Sequence, residues 1–186
     1  MNKNNGISKV LIIATYGFEE AELFEPLEGM REAGISVTLA SLEKKPIHGV
    51  IYDASTSMSN PSDREIIPNI TIEEINIDEY SLLYIPGGVI SPDKLRMVPE
   101  VVEVVKNFYL KGKTIASICH GPWLLIESDI IKGKKVAGWY SIHKDLTNAG
   151  AEVLDKEVVV DGNIITSRMP SDIPAFLQVI KDTLIR

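Results

Sequence analysis

The chain has 186 residues, of which 45% are hydrophobic and 24% charged, with a formal net charge of −7 and a single cysteine. A chain of this length buries roughly 70% of its unfolded surface, so its core needs no disulfide or metal staple, and one thiol makes no internal disulfide. The acidic balance, with scattered Lys and Arg, excludes the basic patch that a nucleic-acid partner requires. No apolar window is long enough for a bilayer, and the run in "MNKNNGISKVLIIA" is too short for a secretory leader. The expectation is one domain over residues 1–186 in a reducing, cytoplasmic setting.

In chain order, "KVLIIA" (9–14) reads as a strand buried on both faces. Ala21, Phe24, Leu27, Met30 and Ala33 recur every three residues and predict a helix with Gly34 as its C-cap. Pro26 inside it predicts a kink or a division. "ISVTLAS" (35–41) is the next strand. Residues 44–77 are the least regular: "HGVIYDASTSM" has strand composition, whereas "SNPSDREIIPN", with its two prolines, reads as a surface loop. "SLLYI" (81–85) is another buried strand, stopped by "PGG". Pro99 opens a helix that ends at Gly112. Then come a strand in "KTIASIC", a helix in "GPWLLIES" and a short helix in "SIHKDLTNAG" capped by Gly150. A hairpin, "EVVVDGNIITS", turns on Asp161-Gly162, and "SDIPAFLQVIKDTLI" is the closing helix.

This alternation predicts an α/β fold, a mainly parallel sheet with helices on both faces and the hairpin as an antiparallel addition. In such sheets ligands gather at the carboxyl ends of the strands. Three motifs fall there: "YGFEE", "PGG" and "CHG".

Cys119 is the focus. A buried structural thiol is the common fate of a lone cysteine. Against it, Ser117 and Gly121 place small residues two positions before and after Cys119 at a strand-to-helix junction. A nucleophile elbow requires that spacing, because its sharp turn brings those backbones together. The following helix N-terminus would favour the thiolate. Gly87 and Gly88 would let backbone N–H groups approach an oxyanion, together with the amide of His120. In "FEEAE", Glu20 and Glu22 read as first-turn charges that favour the helix dipole, with one carboxyl of the group facing the thiol as a proton carrier. His48, His120 and His143 lack metal-ligand spacing.

With "GFEEAE", "LLYIPGG", "ASICHGPWLL" and "KDLTNAGAEVLDKEVVVDGNIITSR" in family order over most of its length, the chain resembles the ThiJ/PfpI superfamily in its PfpI-type branch. The resemblance implies a flavodoxin-like α/β sandwich with a nucleophile elbow. It makes Cys119 the nucleophile and Glu19 the acid that hydrogen-bonds it. His120 would pair with a carboxylate of a neighbouring subunit, here Asp93 in "SPDKLR", and Trp139 would line the substrate site. Tyr140 departs from the proline that many relatives carry there. It further implies a homodimer or trimer of dimers, no cofactor and no metal, and a small carbonyl or peptide substrate. Three activities are consistent with it: glyoxalase III or deglycase chemistry that takes methylglyoxal to lactate, an intracellular cysteine peptidase, or a redox-responsive, chaperone-like stress protein. Glutamine amidotransferase activity needs a distal His-x-Glu that this chain lacks.

Overall fold

A computed structural model of the chain describes residues 8–185; residues 1–7, from the stretch read above as too short for a leader, and Arg186 lie outside the described residues. The chain enters through β1 (Lys9–Ile13), the two-residue β2 (Phe18–Glu19), α1 (Glu20–Glu32) and β3 (Ser36–Ser41). A hairpin of β4 (Ile47–Asp53) and β5 (Met58–Ile66) follows, then the short β6 (Ile70–Thr71) and β7 (Leu82–Ile85). Next come α2 (Ile90–Arg96), α3 (Pro99–Leu110), β8 (Thr114–Ile118) and α4 (Trp123–Glu127). The last part holds β9 (Lys135–Val136), α5 (His143–Asn148), β10 (Glu152–Val153), β11 (Val158–Asp161), β12 (Ile164–Ser167) and α6 (Ile173–Leu184).

Seven strands form the main sheet in the order β11-β12-β8-β7-β1-β3-β6. Every neighbouring pair is parallel except β11 with β12. Alternate side chains of the central strands feed two cores. Leu11, Ile13, Leu83, Ile85 and Ile115 pack with Val101, Val105 and Phe108 of α3 and with Leu124 and Leu125 of α4. Val10, Ile12, Leu82, Tyr84 and Ala116 pack with Leu23, Leu27 and Met30 of α1 and with Phe176 and Ile180 of α6. Continuous apolar runs in the sequence are what a sheet covered on both faces requires. The result is the predicted sandwich, a mostly parallel sheet flanked by helices, with β1, β7 and β8 side by side so that their carboxyl ends converge.

Four local readings are corrected. The segment read as a surface loop contains β5, which pairs antiparallel with β4, and β4 in turn pairs parallel with β2. Pro61 is tolerated because β5 is an outer strand, where a missing N–H breaks no interior ladder. Pro26 does not divide α1, which runs unbroken as 13 residues. The buried face of α1 is broader than the three-spaced stripe: Phe24, Leu27 and Met30 are buried as expected, Ala33 is exposed, and Glu22, Leu23 and Pro26 are buried as well. The closing hairpin turns on Gly162 and Asn163, because Asp161 is still paired with Ile164 and only Gly162 takes positive φ (63°). The Asp161 carboxylate instead accepts the N–H of Lys135 at 2.8 Å.

Candidate active site

β8 ends at Ile118, and the next residue, Cys119, has φ +62°. That left-handed conformation is strained for a residue with a side chain and costs on the order of 1–3 kcal/mol unless the surroundings enforce it. The surroundings are visible at Gly121. A Cβ there would lie 2.5 Å from Ser117 Oγ, 2.7 Å from Ile85 O and 2.9 Å from Ile118 O. The turn is so sharp that positions 117 and 121 meet, which is the steric reason for the small residues flanking the thiol. Gly121→Ala is therefore expected to lower stability by about 3 kcal/mol in denaturant unfolding, since two of its three contacts are main-chain carbonyls that cannot rotate away. Ser117→Ala is expected to be neutral or stabilising, because Ser117 Oγ is buried without a partner and its removal relieves an unmet polar group.

The carboxyl that meets the thiol is Glu22's, not Glu19's. Glu22 is fully buried in the first turn of α1. Its Oε2 accepts the N–H of Gly87 at 2.8 Å. Its Oε1 makes no hydrogen bond; the Cys119 side chain stands beside the carboxyl, since a Cβ at Gly87 would lie 2.5 Å from Glu22 Oε2 and 2.6 Å from Cys119 Cβ, and the two groups shift each other's titration. Burial, the adjacent Glu19 charge adding to it, pushes the Glu22 pKa up to about 8. Burial first, then the Glu22 charge, also pushes the Cys119 thiol well above its usual range, against the backbone N–H groups of Gly88 and His120 that favour the thiolate. The expectation that a helix N-terminus would lower this thiol is thus corrected: α4 has five residues, and desolvation outweighs so short a dipole. Two acids in one dry pocket cannot both ionise readily, so the ionised form of the pair keeps one proton between sulfur and carboxyl. With that proton on Glu22 Oε1 the sulfur gains a third donor.

Glu19 stands at the rim. Its Oε1 accepts the N–H of Tyr52 at 3.3 Å, and burial raises its pKa to about 7. Gly87 spends its N–H on Glu22, so of the glycine pair only Gly88 turns its amide to the sulfur. Gly88 has φ +78°, and a Cβ there would strike Gly17 O at 2.5 Å and the backbone N of Glu19 at 2.6 Å. The PGG loop is in this way locked against the β1–β2 turn.

His120 Nδ1 lies 3.2 Å from Cys119 Sγ, and its Nε2 lies 3.2 Å from Ser141 Oγ. Burial holds its pKa down at about 4, the Asp145 charge opposing, so the ring is neutral at physiological pH. A neutral ring has one N–H, which can serve either the sulfur or Ser141. Within this chain the far ring nitrogen therefore meets a hydroxyl rather than a carboxylate. Asp93, expected from a neighbouring subunit, is exposed on α2 and is not among the residues lining this chain's cavity.

These groups open into a cavity of about 210 Å³ lined also by Tyr52, Ser57, Ser59, Val89, Trp139 and Pro170. Trp139 donates its backbone N–H to Cys119 O at 2.9 Å and packs edge-on to Tyr52, ring centroids 5.2 Å apart. Tyr52, Ser57 and Ser59 come from the β4–β5 hairpin and carried no sequence signal. Neither did Ser141. Glu22 did carry one: with Pro26 and Met30 it is spaced by four, and all three are buried. No group of three His, Cys, Asp or Glu side chains among the described residues is placed to hold a metal ion.

Comparison with known proteins bears on this geometry. Over 170 residues the chain is 36% identical to a Pyrococcus furiosus protein named deglycase PfpI, covering 91% of this chain and 95% of that one. It is 39% identical over 169 residues to Bacillus subtilis general stress protein 18, covering 90% and 92%. A crystal structure of a two-domain Anabaena variabilis protein, with DJ-1/ThiJ/PfpI-like and ferritin-like domains, superimposes with TM-score 0.84 at 35% identity. It covers 95% of this chain, which spans 48% of that one. The model of the DJ-1/PfpI family matches residues 8–182, from the first strand through the closing helix, and so takes in the elbow, the glycine pair and the acid of α1 together: the chain belongs to the DJ-1/PfpI family.

Proposed function

We propose that the protein is a cofactor-independent enzyme that converts small dicarbonyls, with methylglyoxal going to lactate through a thiohemiacetal on Cys119. The observation that carries this reading is the pairing of Cys119 with a buried, proton-holding Glu22 beneath two backbone N–H groups in a cavity of about 210 Å³. Drug-sized ligands occupy sites of roughly 300–1,000 Å³, so this one favours a molecule of a few heavy atoms over an extended peptide. The deglycase name of the Pyrococcus furiosus relative supports carbonyl chemistry.

In the first step the thiolate adds to the aldehyde carbon. An S–C bond forms, and the carbonyl electron pair moves to oxygen, which the N–H groups of Gly88 and His120 hold and which takes the Glu22 proton. The Glu22 carboxylate, basic because it is buried, then removes the hydrogen from that carbon as a proton, giving an enediolate; the hydroxyl proton passes from the first oxygen to the second, and Glu22 returns its proton to the second carbon. The product is a lactoyl thioester. Water cleaves its C–S bond, releasing lactate and the thiolate; one water proton restores Glu22 and the other leaves with the acid. His120 and Ser141 line the cavity in which that water would act.

Incubation with methylglyoxal in the absence of glutathione is expected to yield lactate, with the Cys119→Ser protein at background. Lactate formation by the native protein no faster than by Cys119→Ser would overturn the reading.

A further inference from the structure

Pro26 and Tyr84 are linked through one carbonyl. In an α-helix each N–H bonds the carbonyl four residues back. Pro26 has no N–H, so the carbonyl of Glu22 loses its helical partner, although α1 stays helical through Pro26. A buried carbonyl without a donor is costly, and this one is not left so. Tyr84, on β7, is fully buried, and its Oη donates to Glu22 O at 2.6 Å. Three residues further along the same segment, the N–H of Gly87 donates to the Glu22 side chain at 2.8 Å. Both ends of Glu22, its main-chain carbonyl and its carboxyl, are thus held by residues 84–87. The Tyr84 ring packs against Phe176 of α6, centroids 5.9 Å apart, which fixes where the hydroxyl reaches.

We propose that Tyr84 is a positioning residue for the Cys119–Glu22 pair, its hydroxyl supplying the hydrogen bond that Pro26 withholds and thereby fixing the turn of α1 that aims the Glu22 carboxyl at the sulfur. This rests on the reading of Glu22 as the proton partner of Cys119. The other titratable groups at the pair are Glu19 of β2, His120 after β8 and the Tyr84 phenol of β7; the charge of Glu25, exposed on α1, also acts on that phenol. Burial, with the charges of Glu22 and Cys119 adding to it, holds the Tyr84 phenol protonated, so it remains a donor while the pair titrates.

Three variants test this without substrate, so the outcome is separate from that of the lactate assay. Tyr84→Phe removes only the hydroxyl. The Glu22 carbonyl is then orphaned, its turn loosens, and the carboxyl beside the thiolate loses its fixed position. The ultraviolet titration of Cys119 is expected to move up by about one pH unit, and its alkylation by iodoacetamide at neutral pH to slow about tenfold. Pro26→Ala restores a helical N–H directed at the same carbonyl. Alone it leaves the titration in place, since the carbonyl already has a donor. In Tyr84→Phe/Pro26→Ala it is expected to return both titration and alkylation to the native values. A tyrosine serving only as core filling would lower the melting temperature and leave the titration unmoved, and that result overturns the proposal. So does a shift in Tyr84→Phe that persists in the folded double variant. Should Tyr84→Phe fail to fold, the double variant must fold and titrate as the native protein; its failure to do so overturns the proposal equally.

Discussion

Glu22→Gln is expected to lower the rate of lactate formation by about 10³-fold, within the range for loss of a general acid–base group, while Cys119 stays reactive toward iodoacetamide. The two readouts part because a glutamine keeps the geometry and loses the chemistry. Its oxygen can still accept the Gly87 N–H that Glu22 Oε2 accepts at 2.8 Å, and its NH₂ can still donate to sulfur, but it cannot give up and retake a proton. Glu19→Gln is the matched control. Its oxygen can still accept the Tyr52 N–H, and turnover is expected to remain within about tenfold of native. Equal activity of Glu22→Gln and native protein, or greater damage from Glu19→Gln, would show that the acid has been placed wrongly. The pH dependence adds a check. The Glu22 pKa is raised to about 8, so the native rate is expected to fall as pH rises through that value, and the limb should vanish from the residual rate of Glu22→Gln. Stability follows the same sign. A carboxyl raised from 4.5 to about 8 in the folded state contributes stability that is whole below 4.5 and lost as pH climbs through 8. The melting temperature of Glu22→Gln relative to native should therefore improve between about pH 5 and about pH 9.

How the sequence pointed to this site depends on which kind of constraint acted on each residue. Ser117 and Gly121 were legible because their cause is steric and local: the turn at Cys119 leaves 2.5 Å between Ser117 Oγ and any Cβ at Gly121. The central strands were legible because burial on both faces leaves continuous apolar runs. The acid was misplaced because the resemblance was carried onto the first glutamate of "GFEEAE", whereas the buried face of α1 selects the third, Glu22. Three residues advance a helix by 300°, so a stripe spaced strictly by three drifts around the axis, and Ala21 to Ala33 do not share a face. The face that is buried runs through Glu22, Pro26 and Met30 with Leu23, Phe24 and Leu27 beside it. An acid on such a stripe is itself a signal, because an unpaired buried carboxyl is rarely tolerated without a role. β5 was illegible because its stability comes from β4, not from its own exposed, proline-containing sequence. Its absence from the sequence reading also removed Ser57 and Ser59 from the cavity wall. The partner of His120 could not be read either: Ser141 is 21 residues away, and only the fold brings it to Nε2.

Gly87→Ala is expected to separate activity from stability, and the contrast with Gly88 shows why. Gly87 does not take positive φ, so alanine brings no backbone strain; the cost is space alone. Its Cβ would stand 2.5 Å from Glu22 Oε2, 2.6 Å from Cys119 Cβ and 3.0 Å from the backbone N of His120. The methyl group would enter the point where the acid, the thiol carbon and one sulfur-facing amide meet. Glu22 Oε2 ends a side chain that can swing aside, whereas Cys119 Cβ moves only with its backbone, so the fold should lose about 3 kcal/mol. Their displacement by even about 1 Å, however, costs on the order of 10² in rate for a site built on alignment. At Gly88 the balance reverses. An added Cβ would meet main-chain atoms of Gly17 and Glu19 at 2.5 and 2.6 Å, from a residue with φ +78°, and neither can yield. Gly88→Ala should therefore destabilise more than Gly87→Ala in denaturant unfolding. Gly87→Ala should retain a cooperative transition, with lactate formation reduced on the order of a hundredfold or more. Near-native turnover in a folded Gly87→Ala protein would mean that the contact between Cys119 and Glu22 is not what the reaction requires.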